Sequence, residues 1–334
     1  MLTLRQSEVE LDPCRAVAVD IIILDWNRAD QTILAVKSAL AQRGVARRVW
    51  VVDQGSEPAN QDQLAAFCDA HSDVNVHWLD RNVGVAAGRN LATQLGAAAY
   101  VVSLDNDAVF ADEWCVARAI ERMEREPQLG ALAFRILDAE THSDEAFWDY
   151  PSQLRECELP RFAVTRFLGG GHVVRRSAFE AAGRYDERLF FGGEERDIAW
   201  RMIGLGYRLR LERDLIVVHR SVATSKIAWS GKRFYYLARN TLYINHKFGG
   251  GWLGFARGAA GFMLRGLRCG LLPAAVGGVL HGLWMGLRFS LHERDKSMYQ
   301  LNEQARRYIA ETDQKQAESW RVKLKRAWSP LPPV

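Results

Sequence analysis

The sequence lacks the cysteine patterns that would place it among disulfide-stabilised or zinc-binding proteins. Its five cysteines are odd in number and widely spaced, and no two of them form a CxxC pair. This usage favours a reduced, cytosolic chain and argues against a structural zinc site. Residues 1–15 also lack the apolar core of a signal peptide. We therefore expect residues 1–18 to form an N-terminal tail ahead of a folded cytoplasmic domain.

The sequence has no block of basic residues of the kind that nucleic-acid binders carry. The formal net charge is only +4, and the lysines and arginines are not gathered into one early cluster. These features argue against a nucleic-acid partner. With 334 residues, of which 48% are hydrophobic, the chain has enough apolar material for one large domain and an appendage.

The common glycine motifs for nucleotides are missing as well. No GxGxxG follows the first predicted strand, which argues against a dinucleotide dehydrogenase, and no phosphate-binding lysine motif is present. Two other glycine-rich stretches occur. Gly84 and Gly88, with Arg89, open an alanine-rich helix whose N-terminus could attract a phosphate, and residues 169–171 precede a strand. Either stretch could instead be a tight turn without a ligand.

The most informative stretch that is present is the end of the apolar run at residues 100–104. The run predicts a buried strand, and it ends in Asp105-Asn106-Asp107, two carboxylates separated by one residue. Carboxylates at a strand end can bind a divalent cation, and such a cation often also holds substrate phosphates. The alternative is an ordinary turn, because Asp and Asn favour turns.

Two earlier strands end in acids too. Residues 19–24 and 49–52 are predicted strands that end at Asp25 and Asp53, and helices alternate with the strands along the chain. This alternation predicts an α/β fold with a doubly wound, mostly parallel sheet. Because the carboxyl ends of parallel strands converge on one edge, Asp25, Asp53 and Asp105 together predict a nucleotide pocket. Any one of them alone could be a turn residue.

A second group of acids opens a helix later in the chain. Glu194, Glu195 and Asp197 follow two glycines and crowd the first helical turn, where the helix dipole favours acids in any case. The same position suits a general base, particularly if partial burial raises its pKa. Two late strands are predicted at residues 207–211 and 215–218. His219 ends the second of them, where a neutral imidazole could ligate a metal.

In their order along the chain, these motifs resemble one known family. The motifs that carry the resemblance are residues 24–28, 51–56, 82–90, 105–107, 169–171, 184–187, 194–197 and 218–221. They are similar to inverting glycosyltransferases of family 2, especially rhamnosyltransferase-like bacterial members. The resemblance covers about residues 19–248 and implies a catalytic domain with the Rossmann-like GT-A fold over that range. It also implies a nucleotide-sugar donor and a glycan or lipid-linked acceptor.

The resemblance implies a role for each matching residue. Asp53 would contact the nucleotide base, Asp105 would lie near the ribose, and Asp107 would bind Mg²⁺ or Mn²⁺ across the donor diphosphate. His219 is similar to a histidine that some members use near that metal. The residues implied for donor binding are Asp25, Asn27, Arg28, Asp53, Gly84, Gly88, Arg89, Asp105 and Asn106, and those for acceptor binding are Gly170 and Gly171.

The general base is open to alternatives. The family has Asp in a Glu-Asp-x-Asp pattern, and that position holds Glu195 here, which leaves Glu194 and Asp197 as further candidates. Asp25 and Gln54 also depart from the family, in which Asn is common. The reaction implied is removal of a proton from an acceptor hydroxyl, whose in-line attack displaces the nucleoside diphosphate and inverts the anomeric centre.

Two other functions fit the same pattern. A nucleotide-sugar-binding module without turnover would explain the changed residue at the base position. A sugar-phosphate nucleotidyltransferase would also use a metal-binding α/β sheet, but no basic, glycine-rich triphosphate loop opens this chain.

From residue 249 the composition changes to Gly, Ala, Leu, Trp and Arg, so we treat residues 249–334 as a separate helical region. On a helical projection its basic residues gather on one side and its large apolar residues on the other. This is typical of an amphipathic helix on an anionic membrane surface. The basic set is Lys247, Arg257, Arg265 and Arg268, and the apolar set is Trp252, Phe255, Phe262 and Met263.

Residues 269–287 are uncharged and nearly long enough to span a bilayer, but Pro273, several glycines and His281 favour surface contact through residues 249–291. This predicts a cytoplasmic protein that is peripheral at the inner face of the cell membrane. The alternative is a helical cap that packs on the catalytic domain or on a partner subunit of a homo-oligomer. Residues 293–334 are charged and helix-prone and end in a proline-rich tail that we expect to be loose.

Overall fold

The computed structural model describes residues 16–144, 150, 159–220, 231–293 and 295–315. Residues 1–15 of the predicted N-terminal tail and residues 316–334 of the predicted loose tail lie outside these ranges, as does Ser221 of the 218–221 motif. The first strand begins at Val17, so the last residues of the predicted tail already belong to the folded domain.

A mixed sheet of nine strands forms the centre of the described structure. Its strand order is β3-β2-β1-β4-β8-β6-β9-β5, and β7 also pairs with β9. The strands are β1 Val17–Asp25, β2 Val45–Gln54, β3 Val74–Leu79, β4 Tyr100–Leu104, β5 Ala108–Phe110, β6 Leu129–Asp138, β7 Arg161–Val164, β8 Gly171–Arg175 and β9 Arg208–His219.

The strand directions confirm the predicted α/β fold class. The four strands from β3 to β4 are parallel, and β6 and β9 are parallel to each other, whereas β8 runs antiparallel between β4 and β6. The prediction of two separate strands at residues 207–211 and 215–218 is wrong, because one continuous strand, β9, covers residues 208–219. Its pairing with β6 is irregular between Glu212 and Ile216, where a turn would otherwise be expected.

Helices cover both faces of the sheet and bury its strands from each side. The core on one face includes α1 Ala29–Leu40, α2 Pro58–Cys68 and α4 Cys115–Arg125, and the core on the other includes α3 Val85–Leu95, α5 Arg176–Ala181 and α6 Glu194–Gly204. Ile21 and Ile23 of β1 face the first core and Ile22 faces the second. Because both faces are covered, the central strands are continuous apolar runs rather than alternating ones.

Four helices follow β9 in the described residues: α7 Gly231–Asn245, α8 Gly251–Arg268, α9 Leu272–His292 and α10 Glu303–Lys315. α7 and α9 approach closely because a glycine faces the contact. A Cβ atom at Gly278 would lie 2.7 Å from the carbonyl oxygen of Tyr235. Within the described ranges no helix combines the length and the apolarity needed to span a bilayer.

A buried ion-pair cluster joins α6 to the turn that follows α7. Lys247 lies in the π-helical turn His246–Gly250, and its Nζ is 2.7 Å from Asp186 Oδ2 and 2.6 Å from Asp197 Oδ1. Arg201 Nη2 lies 2.6 Å from Asp197 Oδ2. The prediction that Lys247 belongs to an exposed basic face is therefore wrong, because two buried carboxylates hold its ammonium group inside the protein.

Replacing Lys247 by methionine should lower the free energy of unfolding by about 3–5 kcal/mol, because it removes the buried cation that two buried carboxylates share. Urea unfolding of the wild type and of Lys247→Met at neutral pH measures this difference. Arg307→Met is the matched control, since Arg307 and Glu311 form an ion pair on the surface, and it should leave the free energy almost unchanged. Equal losses in the two variants would contradict the role of burial.

The same cluster gives the stability a dependence on acid. Burial raises the pKa of Asp186, but Lys247 and Arg188 outweigh it and lower that pKa below the ordinary aspartate value. A depressed folded pKa stabilises the fold above the unfolded pKa, about 4, and this stabilisation is lost as pH falls through the folded value. The gap in unfolding free energy between the wild type and Lys247→Met should therefore narrow below about pH 4.

Candidate active site

The ends of β1 and β2 place two buried acids side by side. Asp25 and Asp53 are opposite each other in the register of the parallel strands, and neither is exposed. Asp25 accepts hydrogen bonds from Thr32 Oγ1 at 2.5 Å and from Asn60 Nδ2 at 2.9 Å, and Asn106 Nδ2 lies 3.4 Å from its Oδ1. The donors come from α1, α2 and the end of β4. The carboxylate of Asp25 therefore ties three elements together beneath the strand ends.

Asn27 and Arg28, in the loop that follows β1, have different partners. Asn27 has a left-handed φ of 56°, its N–H donates to Ser56 Oγ at 2.8 Å, and its Oδ1 accepts from the N–H of Glu57 at 2.7 Å. Asn27 thus fastens the loop after β1 to the loop after β2. Arg28 points elsewhere, because its Nη1 lies 3.0 Å from Asp107 Oδ2.

The two carboxylate oxygens of Asp53 differ in their hydrogen bonds. Its Oδ1 accepts hydrogen bonds from the N–H of Ser56 at 3.1 Å and from Gln61 Nε2 at 2.7 Å. Its Oδ2 is buried without a hydrogen-bond partner in the part of the chain that the structure describes. Buried polar atoms are rarely left without a partner, so this oxygen suits an N–H group supplied by a ligand.

Arg89 connects two acidic groups that are far apart in the sequence. Its Nη2 lies 2.9 Å from Asp105 Oδ1 and donates to the carbonyl oxygen of Gly169 at 2.9 Å, while its Nη1 lies 2.8 Å from Glu195 Oε1. Burial lowers the pKa of Arg89, but Asp105 and Glu195 raise it above the ordinary value, so this buried guanidinium stays charged. Burial also raises the pKa of Asp105 above its ordinary value, although the charge of Arg89 acts to lower that pKa. One cation thus fixes the spacing of two acids.

Asp107 meets His219 because β5 and β9 are antiparallel neighbours. Ala108 is opposite His219 in that pairing, and His219 Nε2 lies 3.0 Å from Asp107 Oδ1. Burial raises the pKa of Asp107, but His219 and Arg28 outweigh it and lower that pKa below the ordinary value. A charged carboxylate and an imidazole, both of which bind divalent cations, therefore lie side by side. The described residues hold no cluster of three or more His, Cys, Asp or Glu side chains that could bind a metal alone.

The three acids at the start of α6 have different surroundings. Glu195 is partly buried and faces Arg89. Glu194 is only 2% exposed, and its Oε2 has no hydrogen-bond partner among the residues described. Asp197 is fully buried, with one oxygen beside Lys247 and the other bonded to Arg201. Both oxygens of Asp197 are therefore engaged with cations, and Glu195 is the best placed of the three candidates for proton transfer.

The free energy of unfolding should report a proton on Glu194 at neutral pH. Burial, and next the charge of Glu195, raise the pKa of Glu194 to about 8. A carboxyl group with a raised folded pKa stabilises the fold below its unfolded pKa, and that stabilisation is lost as pH rises through the folded value. Between about pH 7 and about pH 9, the free energy of unfolding of the wild type should therefore fall by about 1 kcal/mol relative to that of Glu194→Gln. Urea unfolding at both pH values measures this, and parallel pH profiles would contradict it.

The loop before α6 is held from the side by α7. Phe190 and Gly192 have φ values of 59° and 81°, and a left-handed φ is costly for a bulky residue such as Phe190. Asn240 of α7 is buried, and its Nδ2 lies 2.9, 2.9 and 2.6 Å from the carbonyl oxygens of Leu189, Phe191 and Gly192. Sequence reasoning missed Asn240, because no motif connects it to a loop about fifty residues earlier.

The predicted donor-side glycines are positions of close approach within the protein. Gly84 has a φ of 90°, and a Cβ atom there would lie 2.5 Å from the carbonyl oxygen of Phe190. The N–H of Val85 donates to the same oxygen at 2.6 Å. A Cβ atom at Gly88 would lie 3.1 Å from the side chain of Leu24. Both glycines therefore let the start of α3 approach the neighbouring elements.

The glycine turn before β8 borders the acids. A Cβ atom at Gly169 would lie 2.5 Å from Glu195 Oε1, although Gly169 was not among the predicted site residues. One at Gly170 would lie 3.6 Å from Asp105 Oδ2. Gly171 is buried within β8, where a Cβ atom would collide with β9 at 2.9 Å. The turn therefore contributes Gly169 and Gly170 to the site, whereas Gly171 packs the sheet.

The sequence is similar to one protein family and to several curated proteins. A model of the family described as glycosyl transferase family 2 matches residues 20–183. A pre-mycofactocin glycosyltransferase of Mycobacterium tuberculosis H37Rv is 30% identical over 207 residues, 60% of this chain and 43% of that protein. The succinoglycan biosynthesis protein ExoO of Rhizobium meliloti is 34% identical over 61% of this chain and 56% of its own length. The chain thus spans about half the length of these relatives.

Two further matches are a curated protein of which this chain covers a larger share and a solved structure with a similar fold. The putative colanic acid biosynthesis glycosyl transferase WcaA of Escherichia coli K12 is 26% identical over 65% of this chain and 77% of its own length. Mannosyltransferase PcManGT of Pyrobaculum calidifontis, solved with GDP-Man and Mn²⁺, has a TM-score of 0.56 at 17% identity, over 92% of this chain and 87% of that one. At this identity the structural match establishes a shared GT-A fold.

Proposed function

Because residues 20–183 match the model of glycosyl transferase family 2, we propose that this chain is a metal-dependent, inverting glycosyltransferase of that family. It moves a hexosyl or deoxyhexosyl group from a nucleotide-diphosphate donor to a hydroxyl of a glycan or lipid-linked acceptor. The observation that carries the proposal is the Arg89 bridge, which sets Asp105 and Glu195 at a fixed spacing close to Asp107. The colanic acid and succinoglycan pathways for which two relatives are named support a role in polysaccharide synthesis.

The donor nucleotide is assigned to the ends of β1, β2 and β4. The unpartnered Oδ2 of Asp53 can accept an N–H of the base, as acids at nucleotide sites do. Asp105 at the end of β4 can accept a ribose hydroxyl while Arg89 holds its other oxygen. Asp25 and Asn27 serve this site indirectly, since their hydrogen bonds hold the loops that frame it.

The residues at Asp107 fit a magnesium or manganese ion. Mg²⁺ is commonly held by one or two protein ligands together with substrate phosphates and water, so the pair of Asp107 and His219 is a sufficient protein contribution. A bound ion neutralises the charge that develops on a departing nucleoside diphosphate. Arg28, 3.0 Å from Asp107, would be free to contact the diphosphate if a cation paired with that carboxylate instead.

Glu195 is assigned as the general base. Its carboxylate removes the proton of the acceptor hydroxyl while that oxygen forms a bond to the anomeric carbon and the bond to the diphosphate oxygen breaks. The electron pair of the broken bond leaves with the nucleoside diphosphate. Arg89 positions the carboxylate through Oε1, and the adjacent Glu194, neutral at pH 7, adds no second negative charge beside it.

Two assays test this proposal and separate it from its alternatives. Thermal-shift screening of the full chain against UDP-, GDP- and dTDP-sugars, with and without Mn²⁺, should give one donor class that raises Tm with the metal. That donor should then release nucleoside diphosphate when an acceptor is added. Binding without release would favour a nucleotide-sugar-binding module, and turnover of nucleoside triphosphates with sugar phosphates would favour a nucleotidyltransferase. The same screen tests the rhamnosyltransferase-like prediction through deoxyhexose donors.

A further inference from the structure

The helices α8 and α9 form a layer that lies on α7. They are antiparallel neighbours, because Gly266 meets Ala275 near the connecting turn and Trp252 meets Gly286 at the opposite end. α8 contacts α7 where Gly258 approaches the side chain of Leu242, and α9 contacts α7 through Gly278 and Gly282. One side of each helix therefore faces α7, and the other side faces away from the protein.

Two of the aromatic residues predicted for a membrane face, Phe255 and Phe262, lie on the inner side of this layer. Phe255 is buried, and the ring of Phe262 lies 6.1 Å from that of Phe234 in α7. The ring of Trp252 lies 4.2 Å from that of His246 in the turn after α7, and the two rings are tilted by 36°. Phe255 and Phe262 of the predicted apolar membrane face therefore point toward the protein, which contradicts their predicted place, whereas Trp252 stays 45% exposed.

The outer side is nevertheless apolar along both helices. Leu280 is 61% exposed, Trp284 52% and Leu291 76%, at a spacing that keeps them on one side of α9. The exposed apolar residues of this outer face are Leu253, Leu264 and Leu267 on α8, and Val276, Leu280, Trp284, Leu287 and Leu291 on α9. A contiguous apolar surface of this kind marks an interaction site.

The charge around the outer face has one sign. Residues 215–292 contain ten lysines and arginines and no aspartate or glutamate. Arg257 and Arg288 are exposed beside the apolar residues, and the Arg288 guanidinium lies 5.3 Å from the ring centre of Trp284. Exposed apolar side chains with arginines at their border match the acyl boundary and the anionic headgroups of a membrane. A second copy of this face would instead place like charges opposite each other.

We propose that the outer face of α8 and α9 docks flat on an anionic lipid bilayer. The leucines and Trp284 enter the headgroup boundary, and the arginines at the border contact lipid phosphates. This inference concerns a surface away from the acids at the strand ends, so it holds or fails independently of the proposed sugar transfer.

Flotation of the full chain with phosphatidylcholine vesicles, with and without phosphatidylglycerol, tests the proposal. The wild type should float with the anionic vesicles, and raised salt should weaken this binding. The variant L280Q/W284Q/L291Q should partition roughly tenfold or more weakly. R257E/R288E should lose binding to a similar extent on anionic vesicles. Leu205→Gln, which changes an exposed leucine after α6, is the matched control and should float like the wild type.

The outcomes separate a lipid surface from a protein partner. Far-UV circular dichroism and Tm establish that each variant is folded, and R257E/R288E keeps the test valid if the triple variant is not. Wild-type binding by both variants would overturn the proposal. It would also be overturned if the wild type did not bind anionic vesicles. If that wild type sedimented as a dimer that L280Q/W284Q/L291Q dissociates, a second copy of the chain would cover the face instead.

Discussion

Glu195→Gln should lower kcat for sugar transfer by about 10²–10⁴-fold and leave KM for the donor nearly unchanged. The glutamine keeps an oxygen that can accept the hydrogen bond from Arg89, 2.8 Å away in the wild type, so the position of the side chain is retained. The amide cannot take the proton of the acceptor hydroxyl. Steady-state release of nucleoside diphosphate, measured at saturating donor and acceptor, reports the change.

Variants of the neighbouring acids make this assignment specific. Glu180→Gln on α5 removes a partly exposed carboxylate outside the site and should keep the wild-type kcat. Asp197→Asn should act on stability, because Lys247 and Arg201 lose the charge of their buried partner. A wild-type kcat in Glu195→Gln together with a collapse of kcat in Glu194→Gln would transfer the role of base to Glu194.

Asp107→Asn should remove the stimulation of transfer by Mg²⁺ or Mn²⁺ and lower kcat/KM by about 10²–10⁴-fold. Asparagine has nearly the same size, but its neutral amide is a weak ligand for a hard cation. The substitution also takes the negative charge away from His219 and Arg28, each 3.0 Å from the carboxylate. The direct measurement is a titration of diphosphate release with Mn²⁺, and thermal shift with donor plus Mn²⁺ reports binding separately.

The control for Asp107 lies five residues further along the chain. Asp112→Asn changes a carboxylate that pairs with Arg118 on the surface, and it should leave the metal titration unchanged. Retention of full, metal-dependent transfer by both Asp107→Asn and Glu195→Gln would overturn the assignment of the site. A loss restricted to Asp107→Asn would leave the metal assignment standing and reopen the identity of the base.

The strand ends could be predicted from the sequence because their signal is local. A short apolar run that stops at an acid marks both the strand and the place where its side chain reaches the sheet edge. Asp25, Asp53 and Asp105 follow this rule, and the register places the first two opposite each other. The acidic start of α6 was readable for the same reason, since Glu194 follows the two glycines directly.

The side-chain contacts between the strand ends and the start of α6 could not be predicted, because they are made by residues far apart in the sequence. Arg89 and Glu195 are 106 positions apart, and no spacing rule relates them. The sequence predicts Lys247 as a surface cation, because no local pattern marks the two buried carboxylates that it contacts. For α8, periodicity separates two faces of the helix but does not say which one packs, and the packing partner α7 has its own aromatic residue, Phe234, at that contact.

The order of the strands sets the smallest fragment that can fold. β9 is formed by residues 208–219, yet it lies inside the sheet, with β6 on one side and β5 and β7 along the other. A truncated chain that stops at residue 183, where the family match ends, would leave the long edge of β6 with unpaired N–H and C=O groups. Such an edge is a template for aggregation, so this fragment should form inclusion bodies while a chain that continues through β9 and α7 remains dispersed. The boundary of the family's sequence signature is therefore not a boundary of folding.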